Sequence, residues 1–393
     1  MTAVDTTTGP AGRDAAAVPV VAPLQVGPHR VEPPVVLAPM AGVTNAAFRG
    51  LCRSYGDGLF VSEMITARAL IEGHERTLAM ARFTEDERPR SIQLYGTDPA
   101  TLTEAVRRLL DTDGVEHIDM NFGCPVKKVT RHGGGSALPF KRTLLRRIIA
   151  SVVAAAGDVP VTIKFRKGID EDHLTFLDTG RIAEDEGIAA IALHARTAEQ
   201  LYAGHADWDA IAELKATVTS IPVLGNGDIW RAEDALAMVR YTGCDGVVVG
   251  RGCLGRPWLF GELADAFAGR PVRPAPPLGV VTETIRDHAR RLADLFGERG
   301  AVRDIRKHTG WYLRGYAVGP DVRRDLNQVG SFDELDRRLA DLDPLLELPL
   351  ESVGLPRGHQ HGPRPVTLPH GFYDTPDDGR LLGRGADAIT SGG

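Results

Sequence analysis

Eight short apolar runs, each followed by a stretch with helical periodicity, constrain the fold more than any other feature of this chain. Together they occupy about 240 residues, the length that a parallel barrel of eight strand-helix units requires. The sequence therefore predicts the α/β class and a (β/α)8 TIM barrel, with an open doubly wound sheet as the alternative topology. The apolar runs are residues 35–39, 59–65, 91–95, 117–122, 161–165, 190–195, 222–225 and 246–249.

A proline-rich stretch, residues 271–277, separates the predicted barrel from the C-terminal part of the chain. Beyond it the apolar residues Ile285, Leu292 and Phe296 recur with helical spacing, which predicts a small C-terminal helical domain. From about residue 351 onward Gly, Pro, Asp and His replace this pattern, and such a composition favours disorder. We expect a flexible extension over 1–28, a barrel over 29–270, a helical domain over 271–346 and a disordered tail over 347–393.

Cysteine spacing and the length of the apolar runs bound the class of protein. The four cysteines show neither CxxC nor Cys/His ligand spacing, so we expect no metal site and no disulfide framework. Free thiols fit a reducing compartment, and no apolar run approaches the roughly 20 residues that span a bilayer. We expect a cytoplasmic protein, a monomer without membrane contact.

The net charge of −6 is not that of a typical nucleic-acid-binding protein, but basic residues cluster within the predicted helical domain. Arg303, Lys307, Trp311 and Arg314 would share one helix face if the helix continues past Gly310. Cations beside an aromatic ring suit phosphate contact and base stacking. A solvated charged face with Trp311 in the core explains the same pattern.

Polar residues occupy the ends of the predicted strands. The carboxyl ends of barrel strands form the face on which TIM-barrel active sites lie, so these residues should meet around one cavity. Strand ends are often polar through exposure alone, and only their combination describes a site. The ends are 39–41 (PMA), 62–64 (SEM), 93–95 (QLY), 121–124 (NFGC), 164–166 (KFR), 194–196 (HAR), 226–228 (NGD) and 250–251 (GR).

The loops after the seventh and eighth strands have the character of a phosphate site. Gly227 and Gly250 let the backbone approach a ligand closely, and Arg251 supplies positive charge. The alternative for either glycine alone is an ordinary turn. Their joint occurrence at these two strands favours a phosphate-bearing cofactor.

Lys164 lies within an otherwise apolar strand and shares its face with Thr162. A lysine pointing into a barrel mouth needs an anionic or electron-rich partner. It could form a Schiff base, as in aldolases, or hydrogen-bond the ring or phosphate of a cofactor. His194 is similarly open, since a strand histidine is often a core group with satisfied hydrogen bonds.

Cys124 stands where a strand should break. Gly123 permits a sharp bend and Pro125 cannot donate to a sheet, so Cys124 should project from the strand end into a loop. A thiol with a pKa near ~8.5 is mostly protonated at neutral pH and can give a proton to a carbanion. Lys127 would favour the thiolate or hold an anionic substrate. The alternative is a buried cysteine that acts as a small apolar residue.

Six motifs together resemble the tRNA-dihydrouridine synthases, particularly the bacterial B-type branch. The resemblance covers about residues 30 to 345, and the cysteine motif is its most specific part. Phe122 stands where the family commonly has methionine, and Ala195 where it has glycine. The motifs are 38–44 (APMAGVT), 121–125 (NFGCP), 135–138 (GSAL), 194–197 (HART), 206–208 (ADW) and 226–228 (NGD).

The resemblance implies a flavin-dependent reduction of the C5–C6 double bond of selected uridines in tRNA, with NADPH as the reductant. Cys124 would protonate C5 after hydride transfer from reduced FMN to C6. Asn121, Arg196 and Thr197 would hold the uracil edge, and Arg303 and Lys307 would grip the tRNA backbone. FMN would contact Pro39, Met40, Ala41, Gln93, Lys164 and His194, with Asn226, Gly227, Asp228, Gly250 and Arg251 around its phosphate end.

Three other functions compete with this one. An FMN barrel oxidoreductase acting on a small molecule would not need the basic helical domain. A Schiff-base aldolase would use Lys164 and would be trapped by borohydride with a carbonyl substrate. A non-catalytic RNA-binding protein on a barrel scaffold would be colourless and indifferent to Cys124→Ala.

Overall fold

The computed structural model describes residues 21–358, 362–383 and 385, and at its centre eight parallel strands form a closed barrel. This confirms the predicted (β/α)8 fold. An antiparallel hairpin precedes the barrel, with strands β1 (Leu24–Val26) and β2 (His29–Val31). The barrel strands are β3 (Val35–Leu37), β4 (Leu59–Thr66), β5 (Ser91–Tyr95), β6 (His117–Phe122), β7 (Val161–Arg166), β8 (Ala190–His194), β9 (Val223–Asn226) and β10 (Gly246–Val249).

The barrel closes because β10 pairs in parallel with β3, with Val248 opposite Val36. Helices between the strands cover the outside of the barrel. Local signals fix their ends: the Asp98 carboxylate caps the helix that begins at Pro99, and Gly114 ends that helix at φ 58°. The helices are α1 (Ala46–Arg53), α2 (Ala67–Ile71), α3 (Glu75–Met80), α4 (Pro99–Asp113), α5 (Lys127–Thr130), α6 (Arg142–Ala156), α7 (Phe176–Asp185), α8 (Trp208–Thr217), α9 (Ala232–Thr242) and α10 (Leu259–Phe267).

The hairpin covers one end of the barrel interior. Leu24, Val26 and Val31 are buried and belong to the same apolar cluster as Val36 and Leu224 inside the barrel. The expectation of a flexible extension over 1–28 is therefore wrong for its last residues, because alternating apolar side chains give them a buried face. Residues 1–20 lie outside the described part.

A helical region follows the barrel, as predicted. Its long helix α11 (Leu278–Tyr312) breaks at Gly297, where φ is 72°, and α12 (Pro320–Leu326) and α13 (Phe332–Ala340) follow. Apolar side chains of this region share one cluster with Leu51 of α1 and with Trp258. The helical region thus packs on the barrel through a common core. Within the described residues, no helix is long and apolar enough to cross a membrane.

The chain then returns to the barrel mouth as a segment that we call the C-terminal strap, residues 347–358 and 362–383. Arg357 is 2% exposed and Phe372 5%. The expected disordered tail over 347–393 is therefore wrong for these residues. Its buried side chains, such as Arg357 and Phe372, are far apart in the sequence and follow no periodicity, so the sequence pattern does not predict their burial.

Candidate active site

Two adjoining cavities open at the carboxyl ends of the barrel strands. The larger encloses about 280 Å³ beside β6 and the smaller about 110 Å³ beside β9 and β10. Both are lined by Met40, Lys164, His194, Tyr202 and Arg251, so they form one continuous site. This is the face on which the strand-end residues were expected to meet.

All the residues expected to contact a cofactor line these cavities. Pro39, Met40, Lys164, His194 and Arg251 line both. Ala41 and Gln93 line the larger cavity, and Asn226, Gly227, Asp228 and Gly250 line the smaller one. Barrel topology brings them together from six strand ends. Strand position predicted this meeting, whereas the family resemblance assigned the residues to a cofactor.

The smaller cavity has the chemistry of an anion cradle. Gly227 has φ 138°, and a Cβ there would lie 2.5 Å from the Ala206 Cβ. The Arg251 guanidinium lies 4.4 Å from the centre of the Tyr202 ring, and burial lowers the pKa of Arg251 to about 10. The buried Nη1 of Arg196 has no partner among the described residues and would lie 3.8 Å from that Cβ. The Arg251 cation and the close backbone approach at Gly227 fit the phosphate of a nucleotide cofactor, and Arg196 supports this loop from behind the cavity wall.

Lys164 and His194 face the junction of the two cavities. The Lys164 ammonium donates to the side-chain oxygen of Asn226 at 2.8 Å, and burial together with the charge of Arg166 lowers its pKa to about 7. Burial and the nearby cations hold the pKa of His194 well below its ordinary value, so its imidazole is neutral. A neutral imidazole and a readily charged amine fit the polar edge of a flavin ring.

A buried hydrogen-bond network supports the site from inside the barrel. Asp119 accepts from Gln93 at 2.7 Å and from Thr162 at 2.6 Å, and burial raises the pKa of its carboxyl group. The oxygen of Gln93 in turn accepts from Asn121 at 2.8 Å. These bonds fix the rotamers of Gln93 and Asn121. Sequence reasoning missed Asp119, although a carboxylate inside an apolar strand was a signal for it.

Cys124 lies in the loop after β6, as predicted, because the strand ends at Phe122. The backbone of this loop is held on two sides: Cys124 N–H donates to Asn121 at 3.0 Å, and Cys124 C=O accepts from the Ser136 hydroxyl at 3.1 Å. The thiol lines the larger cavity. Burial raises its pKa, and the Val126 N–H and the Arg166 charge lower it less. The thiol is therefore protonated at neutral pH.

Arg166 is a cavity residue whose role the strand-end pattern did not indicate. It follows Lys164 at the end of β7 and therefore points to the same face. Its guanidinium donates to Gly123 C=O at 3.0 Å and to the C=O of Thr197 and Leu201 at 2.8 Å. It thereby ties the cysteine loop to the loop after β8. The alternation along β7 was a signal that could have found it.

Several other lining residues had no role assigned from the sequence. Met64 comes from the end of β4, which the strand-end pattern did include, and Tyr202 comes from the loop after β8. Trp311 and Gly358 come from the helical region and from the C-terminal strap. The last two reach the cavity through the docking of distant segments, which strand-end reasoning does not predict.

The residues expected to hold the substrate are only partly together. Asn121 lines the larger cavity. Arg196 and Thr197 are each 1% exposed and line neither cavity, so they lie behind the cavity wall, and their contact with a uracil edge stays a prediction. Arg196 donates to Asp228 at 2.7 Å and to Gly204 C=O at 2.8 Å. It holds the loop of the anion cradle.

The three basic residues expected to hold the substrate are exposed and lie outside the cavity lining. Lys127 is exposed on α5, outside the cavity lining. Arg303 and Lys307 are exposed on α11, and a Cβ at Gly42 would lie 3.7 Å from the Lys307 ammonium. Lys307 is therefore beside the loop of residues 40–42 that lines the site. The helix continues past Gly310 and ends at Tyr312, which places Trp311 at the cavity.

Fold and site together define an enzyme of the TIM-barrel class, with an anion cradle beside a protonated thiol. The sequence model of the dihydrouridine synthase (Dus) family matches residues 36–346. A probable tRNA-dihydrouridine synthase of Mycobacterium tuberculosis (strain ATCC 25618 / H37Rv) is 56% identical and covers 94% of this chain and 97% of its own. The chain therefore belongs to the dihydrouridine synthase family.

One further relative and one solved structure of similar fold complete the comparison. The tRNA-dihydrouridine synthase B of Xanthomonas axonopodis pv. citri is 43% identical and covers 79% of this chain and 92% of its own. The histamine dehydrogenase of Rhizobium sp. 4-9 shares the fold at a TM-score of 0.50 and 13% identity, over 83% of this chain and 65% of that one. The family model ends at residue 346, before the C-terminal strap. The alignment with the mycobacterial relative covers 94% of this chain and must therefore extend into the strap.

Proposed function

We propose that this enzyme reduces the C5–C6 double bond of specific uridines in tRNA to dihydrouridine, with FMN as the cofactor and NADPH as the reductant. The observation that carries the proposal is the protonated Cys124 thiol in a cavity continuous with an anion cradle. The names of the relatives support tRNA as the substrate. We accordingly propose a cytoplasmic location, where a tRNA substrate would be met.

With NADPH as the source of electrons, FMN bound in this site would supply hydride chemistry for C6 of the uracil. Arg251 and the glycine loops of the cradle would hold its phosphate, and Lys164, His194 and Gln93 its ring. The smaller cavity would thus hold the phosphate end of the cofactor, whereas the larger cavity would hold its ring beside the base. Both cavities belong to one continuous site, as a direct transfer between cofactor and base requires.

Cys124 completes the reduction as a general acid. Hydride addition at C6 leaves negative charge at C5 and on the adjacent carbonyl, and the thiol gives its proton to C5 and becomes a thiolate. The raised pKa keeps the proton on sulfur until this charge develops, and the nearby Arg166 cation stabilises the thiolate that forms. Proton transfer of this kind contributes about 10²- to 10⁴-fold to a rate.

The helical region gives the tRNA a place to bind. A uracil inside folded tRNA must leave its stack to reach a cavity at a barrel mouth. Arg303 and Lys307 lie on the helix whose Trp311 lines that cavity, so phosphate contacts would place a base beside an aromatic wall. The regiospecificity of the enzyme follows from how this helix orients the tRNA.

A complementation experiment tests the proposal. Dihydrouridine is mapped by mass spectrometry in tRNA from cells lacking the gene, and from the same cells carrying the wild-type protein or Cys124→Ala. We expect one or more positions to lose dihydrouridine, to regain it with the wild type and not with the variant. The purified variant should keep its yellow flavin spectrum and oxidise NADPH. Two results together would refute the proposal: the deletion strain keeps all its dihydrouridine, and the purified wild-type enzyme fails to reduce unmodified tRNA.

A further inference from the structure

The C-terminal strap contacts both walls of the active-site cavity. It lies beyond the family region, residues 36–346. At one end Gly358 itself lines the larger cavity. Further along, Arg364 N–H donates to Glu199 C=O at 2.9 Å, in the loop after β8. Phe372 then packs behind the loop that follows Cys124. The strap therefore crosses the catalytic face of the barrel.

Arg357 anchors the first end between the barrel and the helical region. Its guanidinium is buried and donates to the C=O groups of Leu254 and Arg314, each at 3.3 Å, and to that of Trp311. The last carbonyls of a helix have no partner within it, and a cation there also meets the negative end of the helix dipole. Leu254 and Trp311 both line the cavity. One side chain thus joins two parts of the cavity wall that belong to different regions.

The two backbones joined by Arg357 approach each other closely. Gly255 has φ 63°, and a Cβ there would lie 2.3 Å from the backbone carbon of Trp311. Only glycine fits this contact between the loop after β10 and the end of α11. A small displacement of the helix end would therefore open the cavity wall, and Arg357 opposes that displacement.

Phe372 anchors the second end behind the catalytic loop. A Cβ at Gly133 would lie 2.8 Å from its ring, and its C=O accepts from the Lys141 ammonium at 2.6 Å. Ser136, in the 3₁₀ helix that follows Gly133, donates to Cys124 C=O. The strap thus supports the loop that orients the thiol.

We propose that the strap fixes the helical region against the barrel mouth, and that Arg357 is a positioning residue which holds Trp311 in the wall that receives the substrate base. The role of the base rests on the proposed function. Arg357 lines neither cavity, so it touches neither cofactor nor base and acts through the helix end. The anion cradle draws no residue from the strap. Loss of Arg357 should therefore separate tRNA recognition from flavin binding.

The test compares Arg357→Met with Arg357→Lys and with the control Arg364→Met. Arg364 is exposed in the same strap, so its replacement removes the same charge without removing a buried bridge. The half-saturating tRNA concentration should rise about tenfold or more in Arg357→Met, the effect of losing a charge-assisted hydrogen bond, with a similar maximal rate. The half-saturating concentration of Arg357→Lys should lie between those of the wild type and Arg357→Met, and that of Arg364→Met should match the wild type.

A second measurement is independent of activity. Hydrogen exchange of amides in residues 309–316 should be faster in Arg357→Met, while α4 and the bound flavin stay unchanged. Wild-type exchange there, or a wild-type tRNA dependence, would overturn the proposal. Loss of flavin would overturn it as well, since the strap would then support the barrel as a whole. If the wild type does not reduce tRNA, the proposed function fails, yet exchange still tests the positioning by Arg357.

Discussion

The side-chain oxygen of Asn121 accepts a hydrogen bond from the backbone N–H of Cys124 at 3.0 Å. The last part of β6 thus fixes the loop that follows it. The same side chain donates to Gln93 at 2.8 Å, which connects the cysteine loop to the network inside the barrel. The position of the thiol is therefore set by a polar side chain three residues before it.

The first prediction concerns this bond. Asn121→Ala should retain flavin and lower the single-turnover rate of tRNA reduction by about 10²-fold, because a misplaced proton donor is as costly as a misplaced substrate. Stopped-flow oxidation of the reduced flavin by tRNA measures this rate. Gln328→Ala, which truncates an exposed amide in the helical region, should have no effect. A wild-type rate in Asn121→Ala would show that the loop does not depend on this side chain.

A second prediction follows from the raised pKa of Cys124. If the neutral thiol is the proton donor, as proposed, tRNA reduction should be constant from neutral pH upward and fall only above the ordinary thiol range. The positive charge of Arg166 lowers this pKa, so Arg166→Met should move the descending limb to still higher pH. Single-turnover rates across pH 6 to 11 measure the limb.

Cys124→Ser is the control for this titration. Its hydroxyl does not ionise in the measured range, so the small residual rate should lack the descending limb. An identical limb in Cys124→Ser would assign the titration to another group. Such a result would remove the argument that the thiol is the acid.

The third prediction concerns Lys164. Its pKa of about 7 means that at pH 8 the amine is largely neutral in the ligand-free protein. Contact with an electron-rich flavin ring favours the charged form, so FMN binding at pH 8 should take up a proton, with uptake approaching one per site. Calorimetry in buffers of different ionisation enthalpy measures this. Lys164→Met should abolish the uptake, whereas Lys215→Met, which removes an ion pair with Asp245 on the outer helix ring, should not. Uptake that persists in Lys164→Met would exclude Lys164 as the titrating group.

Much of this site follows from the sequence because barrel topology converts strand ends into neighbours. Gln93, Lys164 and His194 are far apart in the chain, and the closed register of the strands brings them to one cavity. The break after Phe122 also follows from local chemistry, since glycine and proline end the strand wherever it lies. These inferences need only the period of the strands and the order of the units.

The rest depends on docking, which no local pattern encodes. Arg196 is at a strand end like the others, yet it turns away from the cavity because Asp228 and the Gly204 carbonyl lie behind it. Trp311 and Arg357 acquire their positions from contacts between segments that have no shared periodicity. The sequence wrongly predicted disorder for the strap for the same reason, since its buried residues are far apart in the sequence and form no periodic pattern.

A fourth prediction tests the anion cradle. Gly227→Ala should reduce FMN binding strongly, because the new Cβ would meet Ala206 at 2.5 Å and force the loop after β9 to move. Gly243→Ala is the control for backbone strain without a clash: its φ of 69° also disfavours alanine, at about 1–3 kcal/mol, but nothing lies within 4 Å of its Cβ. Flavin content and thermal unfolding separate the two effects. Equal flavin loss in both variants would attribute it to instability rather than to the cradle.

The last prediction concerns how tRNA is held. Arg303 and Lys307 are exposed on α11, the helix whose end reaches the cavity, and Lys307 lies beside Gly42. If each neutralises one phosphate, Arg303→Gln and Lys307→Gln should each weaken tRNA binding and lower the slope of log affinity against log salt by about 1. Arg107→Gln, on the outer face of α4, removes the same charge and should leave the slope unchanged. Binding titrations at several salt concentrations measure this slope. If overall charge alone mattered, the slope would fall equally in all three variants. A slope unchanged in all of them would place the tRNA on another face of the enzyme.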